Sequence, residues 1–407
     1  FTAVLLFTSY LMELYDTQKK LKKREVLVRS IVAALSSFIL LSSLYYLLPS
    51  LMIGRGLLLI SLACFNVLQW TWHITHKCSI DFTGGARRVL VVGTGPLANL
   101  IGGLITTSNH SHVLAGYVGC PRDSVVVPNE HIVDGGGIDI SETARREHAE
   151  KIVISITERR GSIPLKDLMH CKFSGIDVFD APTFYEQLTG KLLLENITPG
   201  WFVFSNGFKL THTIRFCKKI IDKILATIGL IITFPLFPLI AVAVKISSPG
   251  PVFFKQVRTG LHEKQFLLYK FRTMRSDAEA GTGAVWAQDN DPRVTSIGKF
   301  LRKSRLDELP QLYNVLKGDM SFIGPRPERP EFVETLKQQI PYYSHRHFVK
   351  PGITGWAQIK YPYGASVEDA VEKLRYDLYY IKNLSITLDL LIFFETIKVI
   401  LFSRGGR

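Results

Sequence analysis

Long uncharged stretches alternate with short basic ones along the first eighty or so residues. Three apolar blocks cover Phe1 to Tyr15, Val26 to Leu48 and Leu51 to about Trp72. A helix needs about 20 apolar residues to cross a bilayer, so the second and third blocks are each predicted to span one. The first block is shorter and lacks a starting methionine, so we expect residues to be missing before it. Buried helices of a soluble bundle are the alternative.

Basic residues between these blocks indicate their orientation. The loop at residues 17–25 contains QKKLKKRE, and Lys77, Arg87 and Arg88 follow the third block. Loops rich in Lys and Arg stay in the cytoplasm. The segment 1–80 is therefore predicted to be a multi-pass membrane region with cytoplasmic material after about residue 73.

From residue 86 to 190 short apolar strands alternate with helical stretches. RRVLVVGTGPLANLIGGLI is typical of a strand, a glycine turn and a helix, and VLAGYVG, KIVISI and GIDVFD of further strands. This alternation predicts a Rossmann-like α/β domain. Gly93, Gly95 and Ala98 match the dinucleotide fingerprint, but no acid ends the second strand, unless Asp123 takes its place. Cofactor binding and a structural or regulatory role both remain open.

A fourth apolar stretch, Ile224 to Val244, is long enough to span a bilayer but contains Pro235 and Pro238. Each proline removes a backbone donor and clashes with the preceding turn. Basic residues flank both ends, so both ends favour the cytoplasmic side. We predict a re-entrant helix-break-helix hairpin within residues 213–250, with a kinked transmembrane helix as the alternative. Residues 191–212 are expected to be a linker.

Composition narrows the class of partner. The chain has 407 residues, with 49 Lys and Arg against 35 Asp and Glu and a net charge of +14. This surplus implies an anionic partner, and the 47% hydrophobic content, gathered in blocks, favours a lipid surface over nucleic acid. The five cysteines lack CxxC spacing, which argues against a metal knuckle or a disulfide framework and fits a reducing location.

Candidate chemistry lies in the predicted mixed α/β domain at residues 251–407. In SRLDELPQLYNVLKG, the acids Asp307 and Glu308 precede Pro310, which we predict in the first turn of a helix that stops at Gly318. An acid at a helix start has an ordinary explanation, since Asp is a preferred cap and the helix dipole favours it. Capping and catalysis are both consistent with this position.

The same domain contains five candidate cations, more than are needed to balance the charge of two carboxylates. Its members are Lys270, Arg272, Arg302, Arg305 and Arg326. Several Arg and Lys residues with a divalent ion are the usual composition of a phosphoryl-transfer site. One carboxylate can attack phosphorus while the other holds the metal. The flanking prolines are expected to preset the guanidinium of Arg326, although a solvated arginine in a surface turn has the same sequence.

Five ordered motifs resemble the bacterial sugar transferases, also described as polyprenyl-phosphate hexose-1-phosphate transferases or monotopic phosphoglycosyl transferases. The motifs are SSPGPVFFKQVRTG, FLLYKFRTMR, DPRVTSIGKFLRKSRLDELPQLYNVLKGDMSFIGPRPERPEF, KPGITGWAQIK and YDLYYIKNLSITLDL. The likeness covers about residues 213–403. The helices and α/β domain before it resemble the long members of that family.

The resemblance implies transfer of a sugar 1-phosphate from a UDP-sugar to undecaprenyl phosphate, with release of UMP and a requirement for Mg²⁺. The reaction would occur at the cytoplasmic face of the bacterial inner membrane, among its lipids, as the first membrane step of exopolysaccharide or O-antigen synthesis. By the same resemblance Asp307 is the nucleophile, Glu308 supports the metal and Pro235 breaks the hairpin. The implied phosphate contacts are Lys270, Arg272, Arg302 and Arg326. The sugar and homodimer formation are left open.

The sequence departs from the family pattern at two positions. Phe234 stands where some small members have serine, and IKYPYGAS follows GWAQ where many have an Asn-Gly-Arg turn. A nucleotide contact made by that turn would have to be remade, with Lys360 as a candidate.

Two other functions are alternatives to this one. A membrane-anchored, NAD-dependent nucleotide-sugar dehydratase or epimerase would need a Tyr-x-x-x-Lys pair. Tyr313 and Lys317 have this spacing but lie about 220 residues beyond Gly93, in the helix of the acid pair. A non-catalytic scaffold would not need the acid pair and its cations.

The final apolar helix, SITLDLLIFFETIKVILFSRGGR, fits either the membrane interface or a core.

Overall fold

The structure is a computed structural model with two compact units, Phe1–Phe184 and Tyr185–Arg407. It describes residues 1–15, 23–52, 54–82, 86–107, 112–120, 123–134, 139–156, 164–275, 278, 291–361, 364 and 366–401. The basic loop at residues 17–25 and the IKYPYGAS segment lie partly outside the described residues.

Three helices open the first unit: α1 (Thr2–Leu11), α2 (Lys23–Leu47) and α3 (Arg55–Phe82). They pack around a small apolar core of Leu5, Leu41, Tyr45, Leu58 and Leu62. Within the described residues, one unbroken helical segment, Arg24–Tyr46, is long and apolar enough to cross a membrane.

The second predicted crossing is not confirmed. The apolar part of α3, Gly56–Trp72, has 17 residues, or about 25 Å of helix against a hydrocarbon core of about 30 Å. A 3₁₀ turn at Pro49–Leu51 uses the start of the apolar block, so α3 begins only at Arg55. Hydropathy alone does not reveal that the apolar helix is shortened in this way, because the residues of the turn are mostly apolar.

A parallel sheet follows, as the sequence predicts, with five strands where the sequence indicates four. Its strands are β1 (Arg87–Val92), β2 (His112–Val118), β3 (Ile132–Asp134), β4 (Lys151–Ile154) and β5 (Asp177–Asp180). Their order is β3-β2-β1-β4-β5, with every pair parallel. This is the order in which a doubly wound α/β sheet places its first five strands. The accompanying helices are α4 (Pro96–Thr107), α5 (Ile140–Arg146), α6 (Leu165–Phe173) and α7 (Ala181–Thr189).

The second unit is a mixed α/β structure. Its helices are α8 (Pro199–Phe204), α9 (His212–Thr233), α10 (Leu236–Ser247), α11 (Ser296–Lys303), α12 (Gln311–Lys317), α13 (Pro330–Gln339), α14 (Trp356–Lys360), α15 (Val367–Lys382) and α16 (Ile386–Leu401). The antiparallel hairpin of β6 (Phe253–Thr259) and β7 (Gln265–Phe271) and the parallel pair of β8 (Ser321–Ile323) and β9 (Gly352–Thr354) complete it.

The chain bends between α9 and α10. The two helices meet at 64° across Phe234 and Pro235. Pro235 has no N–H to continue the ladder of α9, so it becomes the residue that precedes α10. Pro238 lies in the first turn of α10, where a backbone donor has no helical partner to lose. The structure therefore assigns the break to Pro235, while Pro238 is accommodated without a second break.

The largest core of the second unit also contains parts of both its ends. Leu192 and Ile197 are buried in this core, so the segment predicted as a linker packs with the unit. In α16, Ile392 is fully buried in the same core, whereas Leu390 and Leu391 are 50% and 40% exposed. The final helix thus has one face in the core and another in contact with the surroundings.

Candidate functional site

The acid pair lies in a 3₁₀ turn, Leu306–Glu308, between α11 and α12. The sequence places Pro310 inside the following helix, but α12 begins at Gln311 and Pro310 is the residue before it. Asp307 and Glu308 therefore precede the α-helix instead of belonging to its first turn. Arg305, directly before the turn, has a left-handed backbone with φ of 56°. Such a conformation in a non-glycine residue is typical of functional sites, where the surrounding fold maintains it.

A buried amide attaches α12 to the strand that carries Lys270. Asn314 is fully buried, and its Oδ1 accepts a hydrogen bond from the backbone N–H of Tyr269 at 3.1 Å. Its Nδ2 donates to the carbonyl of Leu267 at 2.7 Å. Gly318 ends the helix in the left-handed conformation, with φ of 93°, as its sequence position predicts. These bonds fix the position of the acid pair relative to β7.

Three cations surround the Glu308 carboxylate. Lys270 Nζ donates to Oε1 at 2.8 Å, Arg326 Nη2 donates to the same oxygen at 3.2 Å, and Arg305 Nη1 lies 3.8 Å from Oε2. Burial alone would raise the pKa of Glu308, but the Lys270 and Arg326 cations outweigh it and hold the pKa well below its usual value. Glu308 is therefore a permanently ionised centre that organises the basic residues around it.

Asp307 has different surroundings, although it is the next residue. Its side chain is 7% exposed, and its carboxylate accepts no hydrogen bond from any residue that the structure describes. Burial raises the pKa of Asp307, the Lys270 cation lowers it in part, and the Glu308 carboxylate raises it again. A carboxylate that is poorly solvated and not engaged in hydrogen bonds is the more nucleophilic of the two.

The backbone that carries Arg326 is held at four successive carbonyls. Two of these carbonyls accept from backbone amides: that of Pro325 from Gly352 N at 2.9 Å, and that of Glu328 from Thr259 N at 3.0 Å. The other two accept from guanidinium groups: that of Arg326 from Arg346 Nη2 at 3.1 Å, and that of Pro327 from Arg258 Nη1 at 3.0 Å. The flanking prolines limit the backbone further. Arg326 thus has a rigid base and a side chain that is 34% exposed.

The Arg346 guanidinium in this scaffold belongs to a buried ion pair. Its Nη2 lies 2.8 Å from Asp377 Oδ2, and its Nη1 donates to the hydroxyl of Tyr343 at 2.6 Å. Burial raises the pKa of Asp377 to about 6, against the lowering effect of Arg346. Through Arg346, α15 supports the backbone of Arg326, which no local sequence pattern indicates.

The other two predicted phosphate contacts have different surroundings. Arg302 lies close enough to the acids to lower the pKa of Asp307, and its Nε donates to Thr273 Oγ1 at 3.0 Å. Arg272 faces away from the pair, and both its terminal nitrogens contact carbonyls at the end of α10. The structure therefore brings Lys270, Arg302 and Arg326 together around the acids, and leaves Arg272 outside that group.

Sequence reasoning missed two cations near this site. Arg258 on β6 is partly buried, and its Nη1 lies 3.7 Å from Glu328 Oε2. Burial lowers the pKa of Arg258, and the nearby Arg326 cation contributes to the lowering. Lys373 on α15 faces the same group, since Glu328 and Arg326 both affect its pKa, which burial lowers. Arg258 lies within one of the five motifs, which is the signal that could have found it. Lys373 has no comparable signal.

The acid pair is suited to a magnesium ion only together with a substrate. Among the described residues, no group of three His, Cys, Asp or Glu side chains could hold a metal. Mg²⁺, however, is often held by one or two carboxylates plus substrate phosphates. Glu308 Oε1 accepts two hydrogen bonds, whereas Oε2 has, among the described residues, the 3.8 Å approach of Arg305 and no closer cation. Glu308 Oε2 is therefore the carboxylate oxygen that fits a metal whose other ligands a diphosphate would supply.

The glycine turn of the first unit is filled by the chain itself. Asp123 Oδ2 accepts hydrogen bonds from Thr94 N at 2.8 Å and Gly95 N at 3.1 Å, just before α4. A dinucleotide phosphate would use such amides at a helix start. Asp123 thus occupies the anion position and does not serve as a displaced ribose-binding acid.

The dehydratase alternative has no support from the second unit either. Tyr313 is 53% exposed on α12, and Lys317 forms an ion pair with Asp319 at 2.9 Å.

Lys360, the candidate to replace the missing arginine, lies over the Trp356 ring at 4.7 Å from its centroid.

Comparisons with known proteins agree with the motifs. The family profile "Bacterial sugar transferase" matches residues 213–403. The chain is 44% identical over 241 residues to a UDP-N-acetylgalactosamine-undecaprenyl-phosphate N-acetylgalactosaminephosphotransferase of Aeromonas hydrophila, covering 59% of this chain and 56% of that protein. It is 45% identical over 185 residues to a UDP-glucose:undecaprenyl-phosphate glucose-1-phosphate transferase of Escherichia coli K12, covering 45% of this chain and 40% of that protein.

A shorter relative is matched over nearly its whole length. The chain is 40% identical over 185 residues to an exopolysaccharide production protein of Rhizobium leguminosarum bv. phaseoli, covering 44% of this chain and 92% of that protein. The chain spans only about half of the Aeromonas and Escherichia proteins, but it contains nearly all of the Rhizobium one. The chain therefore belongs to the bacterial sugar transferase family.

Proposed function

We propose that this protein transfers a sugar 1-phosphate from a UDP-sugar to a polyprenyl phosphate, such as undecaprenyl phosphate, and releases UMP. The observation that carries the proposal is the contrast between two adjacent acids. Glu308 is bound by three cations, whereas Asp307 is buried and accepts no hydrogen bond within the described residues. Relatives of the chain include transferases of this kind, which supports the same reaction.

In the first step an oxygen of Asp307 attacks the phosphorus that bears the sugar. A bond forms between this oxygen and the β-phosphorus, the bond from that phosphorus to the bridging oxygen breaks, and UMP leaves with the electron pair. Lys270, Arg302 and Arg326 supply positive charge around the phosphates, where charge moves toward the leaving group. The product is a phosphosugar linked to Asp307 as an acyl phosphate.

In the second step the lipid phosphate accepts the group. An oxygen of the polyprenyl phosphate attacks the phosphorus of the intermediate, and the acyl phosphate bond breaks to restore the Asp307 carboxylate. Both nucleophiles are already anionic, so neither step requires a general base. Covalent catalysis of this type divides one displacement between two large anions into two separate displacements.

Mg²⁺ is proposed as the cofactor, held by Glu308 Oε2 together with the diphosphate. When bound, it would neutralise phosphate charge in addition to the cations of the site. The ionised state of Glu308, which Lys270 and Arg326 maintain, keeps that ligand available at neutral pH.

Placement at a membrane surface is also part of the proposal. The outer faces of α9 and α10 expose apolar side chains, among them Ile228, Ile231, Ile232, Leu239 and Val242. The 64° bend at Pro235 and the basic residues at both ends favour a hairpin that enters and leaves one leaflet. The first unit would add membrane crossings and a Rossmann-like domain, with the active site on the cytoplasmic face of the inner membrane.

UMP release from a panel of UDP-sugars tests this function. With Mg²⁺ and without lipid, the purified protein is expected to release about one UMP per chain from its own donor, and to turn over when polyprenyl phosphate is added. Chelation of the metal is expected to abolish both phases. Absence of UMP release from every donor, with metal and lipid present, contradicts the proposal.

A further inference from the structure

Arg272, at the end of β7, is buried against the end of α10. Its Nη1 donates to the Pro249 carbonyl at 3.0 Å, and its Nη2 donates to the Ser248 carbonyl at 2.7 Å and lies 3.5 Å from that of Val244. Its backbone N–H donates to Val252 O at 2.9 Å. The Ser248 and Pro249 carbonyls lie just after the last residue of α10, where the helix end carries partial negative charge, so a buried guanidinium there stabilises this helix end.

Arg272 belongs to a run of residues that connects α10 with the acid pair. Lys270, two residues earlier, donates to Glu308. Thr273, the next residue, accepts a hydrogen bond from Arg302, which lies near Asp307. The strand end that Arg272 holds against α10 is therefore bonded to two cations of the site.

Apolar packing makes the same connection. Residues of α10, β7 and α11 form one buried cluster, whose members are Ile240, Val244, Phe271 and Leu301. Leu306 and Leu309, which flank the acid pair on either side, pack against this cluster. The inner face of α10 and the turn that carries Asp307 thus share a core.

We propose that Arg272 is a positioning residue, which fixes α10 relative to Asp307 so that a lipid phosphate reaches the phosphosugar intermediate. This inference rests on the proposed function. The outer face of α10 exposes Leu239 (67%), Val242 (60%) and Ile246 (81%), the apolar surface along which a polyprenyl chain would lie. The end of this helix is the part of the lipid-facing surface that Arg272 holds directly.

The donor step depends less on this link. Arg326 is anchored through the carbonyls of residues 325–328, and α12 is attached to β7 through Asn314. Neither anchor involves α10. Loss of the Arg272 contacts therefore affects the second step, with the lipid acceptor, more than the first step with the UDP-sugar.

The experiment measures the two steps separately in Arg272→Gln and Arg272→Lys by rapid quench. Adduct formation from the UDP-sugar is expected to stay within about threefold of the unaltered protein, while transfer to polyprenyl phosphate falls about tenfold to a hundredfold, the range that a misplacement of about 1 Å produces. Arg272→Lys keeps the charge and is expected to recover part of the loss. Lys382→Gln is the matched control, since it removes another buried ion pair of the second unit, with Glu186.

A parallel fall in both steps, or the same imbalance in Lys382→Gln, overturns the inference. Hydrogen exchange gives a readout that does not depend on activity. In Arg272→Gln, exchange is expected to accelerate in both residues 240–248 and residues 305–309, but not in residues 320–328. Faster exchange in α10 alone also overturns the inference. If the unaltered protein forms no adduct, the proposed function fails, and the exchange pattern still decides whether Arg272 couples the two segments.

Discussion

Replacing each carboxylate of the acid pair by its amide is expected to change the stability of the second unit in opposite directions. Glu308→Gln leaves Lys270 and Arg326 facing a neutral group in a site where Glu308 is 10% exposed. Breaking a buried ion pair costs about 3–5 kcal/mol. Because Lys270 and Arg326 are 17% and 34% exposed and keep some hydration, a loss of about 2–4 kcal/mol is expected.

Asp307→Asn has the opposite expectation. The carboxylate is buried, accepts no hydrogen bond within the described residues and lies beside another acid, so its ionised form is costly. The amide removes that charge at nearly constant volume and is expected to stabilise the fold by about 1 kcal/mol, the usual size of a favourable substitution. The same change removes the proposed nucleophile, so UMP release is expected to fall to background.

The assay is thermal unfolding in detergent at pH 7.5, followed by a signal from the second unit. Domains of this size shift by about 2–4 °C per kcal/mol, so Glu308→Gln is expected to lower Tm by about 5–15 °C and Asp307→Asn to raise it by a few degrees. A drop in Tm for Asp307→Asn as large as that for Glu308→Gln would refute the contrast between the two acids.

The pH dependence of these effects has a definite sign. The folded-state pKa of Asp307 is raised, so the advantage of the amide is present at neutral pH and disappears as pH falls through that pKa, where the acid itself becomes neutral. The folded-state pKa of Glu308 is lowered, so its stabilising effect is present above its unfolded value of about 4.3 and is lost as pH falls below it.

Three further predictions concern other parts of the molecule. Because burial raises the pKa of Asp307, adduct formation is expected to decline on the acid side at a higher pH than an exposed aspartate would give, and a pH profile like that of an exposed acid contradicts this. Asp377→Asn removes the charged partner of Arg346, which supports the backbone of Arg326. The KM for the UDP-sugar, measured by UMP release, is therefore expected to rise about tenfold with kcat less affected, and an unchanged KM contradicts this support. In the first unit, Asp123→Ala is expected to lower Tm by a few degrees, and millimolar phosphate, but not chloride at equal ionic strength, is expected to restore it. The unaltered protein is expected to show no NAD binding by calorimetry, and NAD binding would refute the filled glycine turn.

The sequence predicted the elements whose signals are local. Alternation of strands and helices gave the parallel sheet, and Pro235 coincides with the bend between α9 and α10. Gly318 ends α12 because its backbone is left-handed, which glycine adopts without cost. The acid pair and three of the four predicted phosphate contacts lie together, although their chemical roles stay predictions.

Other features depend on contacts that are distant in sequence. Arg272 has the residue type of a phosphate contact, but its position at the end of β7 directs it to the Ser248 and Pro249 carbonyls just after α10. Asp123 lies 28 residues beyond Gly95, and only the fold shows that its carboxylate fills the glycine turn. The support of Arg326 by Arg346 and Asp377 likewise requires the packing of α15. Charge patterns identify the residues available for a site, but not the groups with which they pair.

The most direct test of the central claim is the mass of the intact protein after mixing with its UDP-sugar and Mg²⁺ in the absence of lipid. The mass is expected to increase by one sugar phosphate, which fragmentation locates on Asp307. This increase is expected to be absent in Asp307→Asn and to be lost when polyprenyl phosphate is added. Formation of the lipid product without any adduct on the quench timescale, or an undiminished adduct in Asp307→Asn, would contradict it.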